Sequence, residues 1–401
     1  MEIIRKPGKR PVMQALPLPS GLPMGHTQTR LNNYLSKRGE LCCQNQNWNI
    51  QMYKSNPSLC LVGPMLGGNS GWVVSQGEVL AQFLAKEGYP VRLTSTIPNR
   101  FLRLGDTVRS LIAWRKQIDV IVLMVFSGPS FGMADIASLL ARKLGKPLIL
   151  WLHGGNLPAF SHQYTKWIQH VYRRGQAIIS PSGYLADATR QLGFEVQVIP
   201  NLISLDSYPY RHRSTVQPRL LWMRTFQDIY HPEMAVETLN RLRDEYPQMM
   251  LTMAGQEKGR LAAVKALVQQ KGLAEQVQFG GFLDMHGKQQ AFAEHDIYLN
   301  TNRVDNMPVS VVEAAAFGLP IVATEVGGIP HLLKHEETAL FVADGDTAGM
   351  AAATRRLLSE PGLAGRLSRN GRFLAESCSW PQVKQQWVQL FQAVQAGKSH
   401  G

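Results

Sequence analysis

The most informative pattern of the sequence covers residues 305–330. It reads Asp305-Asn-Met-Pro-Val-Ser-Val-Val-Glu313 followed by Ala-Ala-Ala-Phe-Gly-Leu-Pro-Ile-Val-Ala-Thr-Glu-Val-Gly-Gly-Ile-Pro. Its spacing predicts a short helix from Val309 to Phe317, with Pro308 at the first turn and Gly318 ending it. The apolar run 321–324 then predicts a β-strand. The stretch therefore predicts one helix and one strand of an α/β protein.

The start of this predicted helix has the chemistry of a site for a nucleotide-activated sugar. A helix N-terminus presents unpaired N–H groups and a positive dipole end, which suits a phosphate. Glu313, about one turn in, could accept two ribose hydroxyls, and Asp305 would face the group that the phosphate carries. The residues at the helix start predicted to contact the donor are Asn306, Met307, Pro308 and Val309. The alternative is a helix with a polar start and an ordinary surface glutamate.

The whole stretch resembles the donor site of retaining family 4 glycosyltransferases, which have the two-domain GT-B architecture. Their signature is Glu, seven residues, Glu, then a Gly-Pro-Val/Ile strand and a Gly-Gly pair. The positions that match are Glu313, Gly318, Pro320, Gly327 and Gly328. Asp305 stands where the family has its first Glu, which shortens the reach toward the donor sugar by one methylene.

Alternating strand and helix patterns along the chain predict two α/β domains, each doubly wound and Rossmann-like, facing each other across a cleft. The first set of strands begins at Ser58, and one of the helices predicted between them covers 162–174. The second set begins with the apolar run 219–223 after a polar linker and includes a strand near 297–300. The predicted divisions are an N-terminal extension over 1–57 that is poorly ordered or lies on the first domain, a first domain over 58–203, a linker over 204–218, a second domain over 219–378, and a final helix in 379–401. The resemblance implies that the first domain faces the acceptor, that the second binds the nucleotide-sugar, and that the final helix crosses back to the first domain.

Composition narrows the class of protein. No apolar run approaches the roughly 18 residues of a membrane span, and the basic N-terminus lacks a signal-peptide core, so a cytoplasmic protein is expected. The four cysteines (Cys42, Cys43, Cys60 and Cys378) show no CxxC spacing, which argues against a disulfide framework or a zinc site.

The charge is unevenly placed. Residues 1–203 contain 22 Lys and Arg against 9 Asp and Glu, which accounts for the whole net charge of +13. Because zinc-finger, heptad and aromatic RNA-binding patterns are absent from the sequence, nucleic acid is not expected as a partner. An anionic membrane surface or an anionic lipid-linked acceptor fits the basic half better, and the protein would then lie peripherally at the inner membrane face.

The segment 100–116 interleaves five basic residues with apolar ones, as in a helix lying on a bilayer. Gly105 and Asp106 are expected to split it. The favoured interpretation of this segment is a routine α/β surface helix whose apolar stripe packs on the sheet.

Two loops of the first domain are predicted to line the cleft. Gly67, Gly68 and Asn69 follow the first strand, and their backbone N–H groups could approach a phosphate or the acceptor. His153 follows the fourth strand, at the edge where parallel sheets bind ligands. The resemblance implies that this histidine contacts the donor sugar near the reacting carbon.

Arg224 ends the first strand of the second domain, and the resemblance implies that it holds the diphosphate, which a guanidinium can do in a bidentate manner. The family has a Lys five residues later, but Ile229 stands at that position here. Tyr230, His231 or Arg303 could take over part of the charge balance. Phe282 follows the strand that abuts the nucleobase in the family and could stack on the base, although an aromatic there is equally often core.

Two other patterns of the sequence resemble a metal site and a hydrolase site. Asp344-Gly-Asp346 fits a metal-binding Asp-x-Asp, but it lies in a turn outside the donor site, so no catalytic metal and no cofactor is expected. Gly128-Pro-Ser-Phe-Gly132 fits a hydrolase nucleophile elbow with Ser130. The oxyanion-type sequence His153-Gly-Gly follows rather than precedes it, which argues against a serine hydrolase.

The resemblance implies transfer of a sugar from a nucleoside-diphosphate-sugar to a saccharide or lipid-linked acceptor, with retention at the anomeric carbon. His153, Asp305 and Arg224 would be the catalytic residues, with the leaving diphosphate helping to deprotonate the acceptor. Cell-surface polysaccharide synthesis is the expected setting. The alternative is a degenerate glycosyltransferase that binds a saccharide or partner without catalysis, since the Lys is missing and Asp305 replaces Glu.

Overall fold

The computed structural model describes residues 56–69 and 71–397. The predicted N-terminal extension therefore falls outside the described residues as far as residue 55. Within the described part, no helix combines the length and the apolar character needed to cross a bilayer.

Two six-stranded sheets, each wholly parallel, form the framework and confirm the predicted α/β class. The strands of the first sheet are β1 (Leu59–Val62), β2 (Val91–Thr94), β3 (Val120–Val125), β4 (Leu148–Leu152), β5 (Ala177–Ser180) and β6 (Gln197–Val198). Those of the second are β7 (Arg219–Met223), β8 (Met250–Ala254), β9 (Val277–Gly281), β10 (Ile297–Asn300), β11 (Ile321–Thr324) and β12 (Leu340–Val342).

Strand order places the ligand edge of each sheet. The first sheet runs β2-β1-β3-β4-β5-β6, and the second runs β12-β11-β10-β7-β8-β9. The order reverses between β1 and β3 in the first sheet and between β7 and β10 in the second. Because ligands bind beyond the carboxyl ends of strands at such a reversal, the loops after β7 and β10 are the expected binding edge.

Fourteen helices are described. In the first half they are α1 (Gln76–Lys86), α2 (Arg100–Ala113), α3 (Pro129–Lys143), α4 (Leu157–Gln163), α5 (Thr165–Tyr172) and α6 (Gly183–Arg190). In the second they are α7 (Pro232–Leu242), α8 (Leu261–Gln270), α9 (Met285–Glu294), α10 (Val309–Phe317), α11 (Ile329–Leu332), α12 (Thr347–Ser359), α13 (Leu363–Ser377) and α14 (Trp380–Ala396).

The prediction that Gly105 and Asp106 split the segment 100–116 is wrong, because α2 runs unbroken from Arg100. The Asn99 side chain caps the helix by accepting from two amides of its first turn. Asp106 accepts a hydrogen bond of 2.6 Å from Ser95 Oγ, so it is anchored to the loop after β2 rather than ending the helix. A mid-helix glycine costs only about 1 kcal/mol relative to alanine, which the rest of the helix can offset.

The final helix α14 packs on the first sheet although it follows the second in sequence. Trp387 is fully buried in the cluster that contains Leu59 and Leu61 of β1, and its ring meets Trp151 of β4 edge-on at 5.1 Å between centroids. At the start of α14, Trp380 Nε1 donates to Glu87 Oε1 over 2.9 Å. The chain end therefore ties the second half of the molecule to the first.

Candidate functional site

Arg224 and Asp305 meet at the order reversal of the second sheet, because they follow β7 and β10. Their side chains form a short ion pair that is largely shielded from solvent. Tyr230 packs on the guanidinium, with its ring centroid 4.0 Å from the Arg224 Cζ. Burial acts to lower the pKa of Arg224. Nearby acidic groups, chiefly Asp305, act to raise it, and the net result is a pKa above the ordinary value. Arg224 is therefore a permanent cation at this edge.

Asp305 is held by more than this ion pair. Its Oδ2 also accepts from Asn302 Nδ2 over 2.6 Å, and its Oδ1 accepts from the Asn306 amide over 2.7 Å. These bonds orient the carboxylate. Asn302 was not predicted from the sequence, although it lies just beyond the carboxyl end of β10, where polar side chains meet ligands.

The start of α10 has the predicted form. Pro308 precedes the helix, provides no side-chain cap, and leaves the first amides without intrahelical partners. Met307 and Asn306 are buried, and the Met307 carbonyl accepts from Asn201 Nδ2 over 3.0 Å. Val309 is the first helical residue. The helix end is thus a rigid, buried element with unpaired donors.

Asn306 reaches the other half of the chain instead of pointing to an empty cleft. Its Oδ1 accepts a short hydrogen bond from the hydroxyl of Ser182, which is the N-cap of α6. The two sheets are thereby joined across the predicted donor site. Sequence reasoning missed Ser182, since a serine before a helix is explained by capping alone.

Two glycines let other backbone segments approach this site. A Cβ on Gly155, in the loop after β4, would lie 2.7 Å from the carbonyl carbon of Asp305. A Cβ on Gly328 would collide with the carbonyl oxygen of Asn306. The loop carrying His153 therefore touches the backbone of Asp305 because residue 155 has no side chain.

Glu313 is buried rather than a surface glutamate, so the alternative interpretation of the sequence is wrong at this residue. Its carboxylate accepts from Lys288 Nζ at 2.8 and 3.1 Å and from the Tyr208 hydroxyl at 3.1 Å. Burial, followed by the charge of Glu313, raises the pKa of Tyr208, so its hydroxyl stays protonated and donates. Neither partner was predicted from the sequence.

His153 is enclosed by aromatic rings. Its imidazole lies 4.6 Å from the Trp151 ring and 5.2 Å from the Phe126 ring, between centroids. Burial lowers the pKa of His153 to about 3, which keeps the ring neutral. Its Nε2 is buried and has no hydrogen-bond partner in the described structure. A neutral ring with one free nitrogen can bind a sugar hydroxyl.

The residues proposed to compensate for the absent lysine differ in the contacts that they make. Ile229 is 39% exposed, and Arg303 pairs with Asp228 at 3.1 Å on the surface. Of the three candidates named from the sequence, Tyr230 is the one that contacts Arg224. Phe282, after β9, is 39% exposed, so it is not a core residue.

The glycine loop after β1 is organised around a carboxylate. The Gly67 amide donates to both oxygens of Glu78, at 3.0 and 3.2 Å, so it is occupied within the protein. Asn69 Nδ2 donates to the carbonyls of Leu66 and Thr96. Gly68 has open space around its Cα. A phosphate at Gly67 would meet the negative charge of Glu78, so this loop fits an uncharged hydroxyl better than an anion.

The two other patterns have structural roles. Asp346 caps α12 by accepting from the Gly349 amide, and Asp344 lies 3.8 Å from the His231 Nδ1. Ser130 is exposed in the first turn of α3, and within the described residues no hydrogen bond joins it to His153.

Comparison with known families agrees with this geometry. Residues 213–373 match the family model described as glycosyl transferases group 1, and residues 75–207 match that of Glycosyltransferase Family 4. A crystal structure of Anabaena Alr3699/HepE in complex with UDP covers 84% of this chain and 100% of its own, with a TM-score of 0.66 and 15% identity, which establishes the likeness of fold.

Two known proteins are similar to this chain in sequence. A glycogen synthase of Mycobacterium tuberculosis is 26% identical over 255 residues, covering 62% of this chain and 60% of the relative. The chain thus spans less than two thirds of that relative's length. A putative colanic acid biosynthesis glycosyltransferase, WcaL of Salmonella typhimurium, is 22% identical over 318 residues, covering 73% of this chain and 77% of the relative. The two family models, matched one to each half of a GT-B fold, show that the chain belongs to glycosyltransferase family 4.

Proposed function

We propose that the protein is a retaining glycosyltransferase that moves a sugar from a nucleoside-diphosphate-sugar to a saccharide or lipid-linked saccharide acceptor. The observation that carries the proposal is the convergence of Arg224, Asp305 and Glu313 around the uncapped start of α10. Arg224 would then provide a cation for the diphosphate, Asp305 an acceptor for the sugar, and Glu313 an acceptor for the ribose of one nucleotide-sugar. The UDP bound to the HepE relative supports a nucleotide donor.

In the proposed reaction the enzyme stabilises the charge that develops on the leaving diphosphate and on the sugar cation. Arg224 and the free amides of α10 would serve the diphosphate. Asp305 and the neutral ring of His153 would orient the sugar. The diphosphate would help to deprotonate the acceptor on the same face, which retains the anomeric configuration. No metal is assigned to the proposed mechanism, so activity should survive a chelator such as EDTA.

We also propose that the acceptor is reached at an anionic membrane surface, in the synthesis of cell-surface polysaccharide. The first turn of α2 exposes Phe101 to 71% and Leu102 to 65%, next to Arg100 and Arg103. The favoured packing of this apolar stripe on the sheet therefore does not hold for these two residues. Arg100 is exposed, and its guanidinium lies 5.0 Å from the centroid of the Phe101 ring. Apolar side chains beside an exposed cation suit an anionic headgroup layer.

The decisive experiment is thermal stabilisation of the full chain by UDP, GDP, ADP and their sugar conjugates. A ligand that binds only the folded state raises the melting temperature by mass action. One nucleotide class should stabilise the wild type, and Glu313→Gln should lose most of that shift. Glu237→Gln, which removes a carboxylate paired with Lys271 at 3.1 Å away from the cleft, is the matched control.

Release of free nucleotide from the stabilising conjugate, with a saccharide acceptor panel, then tests catalysis. Stabilisation without any release of nucleotide would favour the non-catalytic alternative. The specific grounds for that alternative are Ile229 in place of the family lysine and the pairing of Asp305 with Arg224. A folded sample that none of the nucleotides stabilises would overturn the proposal.

A further inference from the structure

The environment of Glu313 limits what this carboxylate can do for a ligand. A carboxylate offers about four acceptor positions. Lys288 Nζ contacts both oxygens and the Tyr208 hydroxyl contacts Oε1, so three of these are in use. Glu313 alone is therefore left with about one acceptor position, on Oε2. That is too few for the two ribose hydroxyls expected of it.

Lys288 has a donor hydrogen that is not used in its bonds to Glu313. An ammonium carries three donor hydrogens, and its two recorded bonds both go to Glu313. Its side chain is 22% exposed whereas that of Glu313 is 5% exposed, so Lys288 is the more accessible partner of the pair. Lys288 is also in the first turns of α9, six residues after the exposed Phe282, which follows β9.

We infer that Lys288 is a second ribose-binding residue, and that the Lys288–Glu313 pair recognises the vicinal diol of the donor. Oε2 of Glu313 accepts from one hydroxyl, and the ammonium of Lys288 donates to the oxygen of the other. Tyr208 holds Oε1 and fixes the carboxylate in this orientation. The inference rests on the proposed nucleotide-sugar donor and adds a basis for preferring ribose to deoxyribose.

The test measures affinities of the full chain by calorimetry for UDP, GDP or ADP, whichever binds, and for its 2′-deoxy and 3′-deoxy forms. The wild type should bind the ribonucleotide roughly tenfold more tightly than at least one deoxy form, as expected for one lost hydrogen bond to a charged group. Lys288→Met should bring the ratio for one of the two deoxy forms to within about twofold, because it removes the donor to that hydroxyl. The ratio for the form that lacks the hydroxyl bound by Glu313 should persist. Lys288→Arg keeps donors and should retain a clear preference.

Controls separate recognition from folding. Lys288→Met leaves a buried carboxylate unpaired, so the double variant Lys288→Met with Glu313→Gln, which removes both charges, is measured beside it. Lys271→Met removes the lysine of a more exposed ion pair, formed with Glu237 of α7, and should leave the ratio unchanged.

A Lys288→Met protein that weakens all three forms equally, with the ratio intact, would show a merely structural role and overturn the inference. Unchanged affinities would overturn it as well. In both cases nucleotide binding by the wild type would leave the proposed function standing. A wild type that binds none of the nucleotides would remove the proposed function and the inference together.

Discussion

The guanidinium of Arg224 forms an ion pair with the carboxylate of Asp305 at the carboxyl edge of the second sheet, although 81 residues separate them in sequence. The pair brings together the group proposed to bind the diphosphate and the group proposed to bind the sugar. Asp305 is also held by Asn302 and by the Asn306 amide, so three groups orient its carboxylate.

Replacing Asp305 by Ala should mainly slow turnover. Its carboxylate is proposed to act on the reacting sugar, so kcat should fall on the order of a hundredfold while the donor KM changes by less than about fivefold. Steady-state kinetics with the identified donor measures both. Asp228→Ala removes an exposed carboxylate from its pair with Arg303 and serves as control. Asp305→Ala kinetics near the wild type would refute the assignment.

Replacing Glu313 by Ala should mainly weaken donor binding. Loss of a charged acceptor for ribose should raise the nucleotide dissociation constant roughly tenfold to a hundredfold, with a smaller effect on kcat. Calorimetric titration of the nucleotide provides the measurement. A variant with normal affinity and a folded-state melting curve would remove Glu313 from the donor site.

The buried His153 should make stability depend on pH. Its pKa of about 3 lies below the ordinary 6.5, so the unfolded chain takes up a proton that the folded chain does not. The stability from this group is complete above pH 6.5 and is lost as the pH falls toward 3. His153→Asn should reduce the slope of unfolding free energy against pH between 4 and 6 by up to about 1.4 kcal/mol per pH unit. Urea titrations that show the same slope in both proteins would contradict the prediction.

Trp387 should be a major anchor of α14 on the first sheet. It is fully buried against Trp151, so Trp387→Ala should lower the free energy of unfolding by about 3–5 kcal/mol. Chemical denaturation followed by circular dichroism measures the loss. Phe373→Ala, at a residue 62% exposed on α13, should change stability by less than about 0.5 kcal/mol.

The exposed start of α2 should bind anionic vesicles. Sedimentation of the protein with vesicles of phosphatidylglycerol and phosphatidylcholine should be strong at low salt and weaken as salt screens the headgroups. The double variant Phe101→Ser and Leu102→Ser should reduce binding several-fold, because each buried apolar side chain contributes about 1.5–3 kcal/mol. Phe373→Ser is the control for an exposed aromatic elsewhere. Equal binding by the double variant and the wild type would exclude this surface.

Local signals predicted much of the fold. Pro308 and Gly318 bracket α10, and the predicted bounds 309–317 match the structure. Gly318 adopts the left-handed conformation, with φ of 82°, that ends helices. The apolar runs at 219–223 and 297–300 also match β7 and β10. These features depend on neighbouring residues, so the sequence contains their full description.

Errors occurred where a side-chain contact outside the apolar pattern overrides a local signal. Asp106 looked like a helix break, but its bond to Ser95 fastens it to the loop after β2. The predicted helix over 162–174 is two helices, because the backbone turns at Tyr164, whose ring packs against Phe160 and Trp167. Neither contact has a signature in the spacing of apolar residues.

Sequence alone is enough to predict the two sets of alternating strands and helices. It also predicts the two acids eight positions apart, with the start of α10 between them. Each of these features depends on residues within one or two helical turns of it. Only the tertiary structure decided that Lys288 and Tyr208 share Glu313, that Ser182 bonds to Asn306, and that Trp387 lies on the first sheet. Those contacts join residues 25 to 236 positions apart. Their formation depends on the packing of whole sheets and helices, which no local pattern records.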